Sequence, residues 1–235
     1  MLRFLALYSR ELEHYFVTPI GYVVIGSFWL ASGFFFSFNT LFVSAIDMVS
    51  AFHNMSILLL LLAPLMSMRS FPEEYKQGTH ELLVSLRIGS HLMVLTKFFA
   101  LLTILLIMLL GSFASVGVLL VFSEPDLGPI LGGYLGITLL GSAFMAVGIL
   151  VSVFSENQIV SAVVTWIVLI VLWFADYSTA LTTSKIVSEL IFHISFSVAY
   201  LDLIRGVFDL GSVVYFLSVI AFCLVAAYIV LEARR

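Results

Sequence analysis

Residues Phe98 to Phe122 read FFALLTILLIMLLGSFASVGVLLVF and contain no charged side chain. A helix rises 1.5 Å per residue, so about 20 such residues cross a hydrocarbon layer about 30 Å thick. The rest of the chain is of the same kind. Of its 235 residues 62% are hydrophobic and 10% are charged, against roughly 25% charged in an ordinary soluble domain. That balance excludes a water-soluble fold. Disorder is excluded as well, because chains that stay unfolded are poor in apolar side chains and rich in charge. With minimal loops, this length holds at most about nine or ten spans. No basic footprint for nucleic acid is present, and the net charge of -4 says less than where the lysines and arginines stand.

Working outward from Phe98–Phe122, similar runs lie at about Ile20 to Phe42, Ala51 to Met68, Ile130 to Phe154, Ile159 to Ala175 and Ser212 to Leu231. The expectation is an all-α polytopic membrane protein with six transmembrane helices, forming one domain over residues 1–235. Pro64 near the end of the second run makes that span short or kinked. Residues 3–16 carry Leu5, Tyr8, Leu12, Tyr15 and Phe16 on one face and Arg3, Arg10, Glu13 and His14 towards the other, the pattern of an amphipathic helix at the interface, within residues 1–18. Pro19 ends that helix, and Thr18 is suited to cap the next one. The N-terminal charges and the lack of a small-residue cleavage pattern lead us to expect no removable signal peptide.

Two polar stretches break the apolar pattern. Residues 69–97 hold Arg69, Glu73, Glu74, Lys76, Glu81, Arg87 and Lys97, with His80 and His91. Residues 176–211 hold Lys185, Glu189, Asp202, Arg205 and Asp209, and Ile186, Leu190, Ile191 and Ile194 form a helical stripe that fits short helices resting on the bilayer. With the N-terminus inside, the inner side collects Arg3, Arg10, Arg69, Lys76, Arg87, Lys97, Arg234 and Arg235, and the outer side only Lys185 and Arg205. This bias places both termini and the 69–97 loop in the cytoplasm and the 176–211 region outside.

The spans offer no chemistry. None has a central Asp, Glu, Lys, Arg or His, which argues against an intramembrane enzyme and against an ion-coupled carrier. His80-Glu81 starts a zinc-protease pattern, but Val84 stands where the second histidine is needed, and no Gly-Lys pair exists for a phosphate-binding loop. Cys223 is the single cysteine, which rules out an intrachain disulfide and thiolate clusters. No catalytic, metal or cofactor-binding residue is therefore expected. Gly132 and Gly136 make a GxxxG pair, suited either to packing within the chain or to a dimer contact.

The 69–97 loop is built with more order than a linker requires. Ser70, Pro72 and Glu73 have capping-box spacing for a helix start, Gly78 interrupts that helix, and Thr79 can cap a second turn carrying Glu81, Leu82, Leu83 and Leu86. Two short helices meeting at a glycine elbow suit either a docking surface for a soluble partner or a plain interfacial segment.

Pro64 to Leu83, PLMSMRSFPEEYKQGTHELL, resembles the P-L-x-T-M-R-x-x-x-E-E-x-x-x-G-T-x-E-L-L signature of ABC-2 type transporter permeases, in particular those of gliding-motility and nitrous-oxide-reductase maturation systems. Thr18-Pro19-Ile20-Gly21-Tyr22 is similar to that family's S-P-I-A-Y at the start of span one, and Arg205-Gly206-Val207-Phe208-Asp209 to its R-G-V-x-D before span six. Ser67 replaces the usual threonine and Gly21 the usual alanine. The resemblance implies the membrane subunit of an ATP-driven exporter in the bacterial inner membrane, a homodimer or a heterodimer with a sister permease. ATP and Mg2+ would be bound by separate cytoplasmic ATPase subunits. It further implies a cytoplasmic coupling helix between spans two and three, with Arg69, Glu73, Glu74, Tyr75, Lys76, Gly78, Thr79, Glu81, Leu82 and Leu83 at the ATPase contact. Arg205, Gly206 and Asp209 would lie in an extracytoplasmic motif, open to an accessory protein outside the membrane. The alternative is an ATP-driven transmitter or scaffold that moves no substrate.

Overall fold

The computed structural model describes residues 2–40, 48–78, 89–122, 126–177 and 194–234, and all regular structure among them is helical. Nine helices follow in order among these residues: α1 (Leu2–Val17), α2 (Pro19–Phe38), α3 (Met48–Ser67), α4 (Pro72–Gln77), α5 (Ser90–Phe122), α6 (Leu127–Phe154), α7 (Gln158–Trp173), α8 (Phe196–Ile204) and α9 (Leu210–Ala233). Five stretches are long and apolar enough to cross a bilayer: α2, Met48–Gln77, α5, α6 and α9. The chain is thus a helical protein of membrane-embedded character. The expected fifth run is α7, whose 16 residues extend about 24 Å, less than a full hydrocarbon thickness.

α6 is the hub, and its sequence explains why. Helices gain little from the hydrophobic effect inside lipid, so they associate by close packing of small residues. Six glycines, two alanines and two serines let α3, α5, α7, α8 and α9 approach α6 closely. The Gly132–Gly136 pair settles its own alternatives: a Cβ on Gly132 would strike the Leu203 carbonyl, and one on Gly136 would meet the Leu203 side chain at 3.0 Å. That face is used within the chain, against α8.

α8 is inserted into the bundle and does not lie on its surface. Phe196, Tyr200, Leu203 and Ile204 are fully buried, and the Tyr200 hydroxyl donates to the Phe52 carbonyl at 2.7 Å. The Ile186–Ile191 part of the amphipathic stripe lies outside the described residues.

Local capping departs from expectation at two places. Thr18 occupies the N-cap of α2 in extended conformation, but its hydroxyl donates backwards to the His14 carbonyl at 2.9 Å, closing α1. Phe71, and not Ser70, holds the N-cap of α4. Ser70 is buried, Pro72 begins the helix, and Glu73 turns to α1 instead of closing a capping box. Gly78 ends α4 in the left-handed conformation, φ 68°, and the second turn expected after it lies outside the described residues. Pro64 lies inside α3, as the sequence shows.

Candidate functional site

One end of the bundle gathers nearly all the described ion pairs. α5 begins at Ser90, so residues 90–97, assigned from sequence to the polar loop, are helical. Lys97 stands on the second turn of that helix and is only 3% exposed. Its Nζ donates to both oxygens of Glu11 on α1, at 3.0 and 3.1 Å, and to Oε1 of Glu74 on α4, at 2.7 Å. The Phe71 ring lies 5.1 Å from the same ammonium. A lysine without partners here would be costly to bury; two carboxylates and an aromatic face meet its charge.

The next helix turn repeats the connection. His14 Nε2 of α1 stands 3.2 Å from Oε2 of Glu73 on α4. Tyr15, buried beneath them, donates its hydroxyl to the Met66 carbonyl at 3.0 Å, and burial raises its pKa further from the physiological range. α4 is fixed on its other side too: the Tyr75 hydroxyl reaches the Val153 carbonyl at 3.5 Å, and the Arg234 guanidinium lies 6.0 Å from the Tyr75 ring. Arg234 also donates to the Phe154 carbonyl at 3.4 Å, and Ser90 donates to Glu232. Five elements therefore converge: α1, α4, the start of α5, the end of α6 and the end of α9.

These positions sort the residues expected at the partner contact. Glu74 faces Lys97, Glu73 faces His14, and Tyr75 is half-buried against α6. Arg69 is half-buried beside them. Lys76, Gln77 and Gly78 are exposed and form the outward side of α4. Thr79, Glu81, Leu82 and Leu83 lie outside the described residues. The glutamates thus hold α4 to the body of the protein, and its tip faces out. Glu11, His14 and Lys97 were not singled out from sequence for this site. The available signal was Glu11, an acidic residue sharing a helix face with Tyr8, Leu12 and Tyr15.

Arg205, Gly206 and Asp209 occupy the opposite end. Arg205 is the C-cap of α8, and Gly206 follows at φ 81°. Gly206 N donates to Leu203 O and Val207 N to Asp202 O, each at 3.1 Å, the paired bonds of a Schellman ending. Asp209 then caps α9 by accepting from Ser212 N at 3.0 Å. Backbone N–H groups of Gly211 and Ser212 hold its carboxyl below the usual range. Its stabilising contribution is accordingly present above the unfolded pKa and lost as pH falls through the lower folded one. The motif is a corner that stops one helix and starts the next. Gly206 is pressed against Gly128 and Pro129, where a Cβ would meet Pro129 N at 2.9 Å.

Among the described residues no group of three or more His, Cys, Asp or Glu side chains could hold a metal ion. No protein-family model matches the chain, and no curated protein matches it.

Proposed function

We propose that this chain is the membrane subunit of an ATP-driven exporter of ABC-2 type, coupled to separate ATPase subunits through α4. One observation carries the reading: α4 is a short polar helix clamped by side chains to α1, α5, α6 and α9, while Lys76, Gln77 and Gly78 project outward. A helix that served only as a connection would need no such clamp. A helix that receives a push from a partner does, because force on its tip reaches the spans only if its base is fixed to them.

In this mechanism ATP binding draws two ATPase subunits together, and the motion enters at Lys76–Gly78 and the adjoining Thr79–Leu83. Glu74 and Lys97 deliver it to α5, Tyr75 to α6, and Glu73 with His14 to α1. Fuel stays on the partner, and this chain contributes no catalytic group.

The reading takes α7 as a sixth crossing beside the five long apolar stretches. α6 ends at the charged end, where Val153 and Phe154 meet Tyr75 and Arg234, and α7 begins four residues later. At the close of α7, Trp173 lies 6.4 Å from the His53 ring and 6.0 Å from Tyr200, at the end where α8 and α9 turn. α9 then returns to the charged end. On this reading the short α7 makes the traverse together with Phe174 and the turn after it. With the charged end cytoplasmic, both termini face inward and the α8–α9 corner outward, in a bacterial inner membrane. A second permease copy or sister chain would complete the transporter.

Affinity purification of the tagged chain from its native membrane in mild detergent tests the reading. A co-eluting subunit with a nucleotide-binding P-loop is expected, and the pair Lys76→Glu with Gln77→Glu should remove it while the chain stays folded. Absence of any such subunit from the unaltered chain contradicts the proposal.

A further inference from the structure

Lys97 on α5 is shared between two other helices. Its Nζ donates to both oxygens of Glu11 on α1, at 3.0 and 3.1 Å, and to Oε1 of Glu74 on α4, at 2.7 Å, so all three N–H bonds of the ammonium are engaged. One positive charge stands between two negative ones. Both carboxylates lie about 3 Å from the same nitrogen and are close enough to repel each other, which makes them rivals for the lysine.

The rivals are not equally placed. Glu11 has both oxygens on Lys97, whereas Glu74 has one, and its Oε2 is shut off from solvent with no hydrogen-bond partner among the described residues. A sealed and unpaired carboxylate oxygen is costly, so the unfavourable part of this triad falls on Glu74. α1 is held to α5 further along as well, by the 2.7 Å bond between the Tyr8 and Thr103 hydroxyls and by the Phe4 ring 5.9 Å from Phe99. These contacts keep Glu11 beside Lys97 independently of α4. If α4 moves off, the lysine left behind is still paired and Glu74 gains water. Were Glu74 the sole partner, the same movement would strand a buried charge at far greater cost.

We propose that Glu11 is a built-in competitor that weakens the hold of α4 on α5, giving α4 a released position in which Lys97 is paired with Glu11 alone. The inference rests on these contacts and not on the ATPase reading. In the coupling role the same competition sets how firmly α4 grips α5.

Hydrogen–deuterium exchange of the full chain in detergent tests this at the backbone amides of residues 72–78, after correction for intrinsic rates. A helix of six residues keeps its amides protected only while it is docked, because isolated short helices are marginal in water. Glu74→Gln removes the charge by which α4 holds Lys97 and should speed exchange there about tenfold, the scale of one charged hydrogen bond. Glu11→Gln removes the competitor, leaves Glu74 as the sole counter-charge, and should slow exchange there roughly threefold. Opposite signs are the signature. If the two carboxylates only glue the junction together, both variants speed exchange, and that result overturns the proposal. Unchanged exchange in either variant overturns it too. So does exchange in Glu11→Gln that rises throughout α5 and α6, since a looser bundle is not a tighter grip. No ATPase takes part, so the outcome is separate from that of the coupling test.

Discussion

The two ends of the bundle are held together by different physics. At the charged end, helices distant in sequence are joined through long side chains: Lys97 to Glu11 and Glu74, His14 to Glu73, Arg234 to the end of α6. At the opposite end the joints are backbone on backbone and ring on ring. There Gly132 sits on the Leu203 carbonyl, Gly206 on Gly128 and Pro129, and Phe144, Trp173, Phe196 and Tyr200 pack against one another. Ion pairs can open and close as a unit when a competing charge arrives, whereas close packing is nearly rigid and has few alternative arrangements. The contrast suits a molecule that receives motion at one end and pivots about the other.

Breaking the charged end should have the larger effect. Lys97→Met leaves a buried and a partly buried carboxylate, Glu74 and Glu11, without their shared cation and should cost about 3–5 kcal/mol in unfolding measured in detergent. Adding Glu11→Gln and Glu74→Gln removes the unpaired charge, and the triple variant should recover most of that loss, because buried ion pairs contribute little net stability. A triple variant no more stable than Lys97→Met would mean that the lysine acts through packing alone. Overfilling the opposite end should cost less. Gly132→Val forces α8 away from α6 and should lower stability by about 1–3 kcal/mol, with Gly136→Ala milder because its neighbour there is a side chain, which yields more easily than a carbonyl. Equal stability of Gly132→Val and the unaltered chain would show that the α6–α8 contact is loose.

Much of the architecture is legible in the sequence because lipid imposes a simple code: long uncharged runs become helices, and charge collects at their ends. α2, α3, α5, α6 and α9 follow it closely. The code fails where helix ends and side-chain partners decide the matter. The hydroxyl of Thr18 can donate back to a carbonyl of α1 or accept from a backbone N–H of α2, and nothing in the local residues tells which it does. α7 is shortened because Phe174 caps it in a non-helical conformation. Part of the site is legible as well, since Gly78 ends α4 where its position suggests. The pairing of Glu73 and Glu74 with α1 and α5 is not, because those contacts join residues far apart in the chain. Side chains that read as surface charge in a polar loop proved to be the glue of a buried junction. Lys97 shows why: one charge adjoining an apolar run looks like a boundary marker until its partners are placed around it.

Coupling through α4 requires the charged end to lie in the cytoplasm, where an ATPase can reach it. Labelling of introduced thiols in intact cells with a membrane-impermeant maleimide measures this directly, since the single native Cys223 is buried within α9. Gln77→Cys should stay unlabelled until the membrane is opened, while Val207→Cys at the α8–α9 corner should label at once. The reverse pattern, with Gln77→Cys labelled in intact cells, would contradict the account.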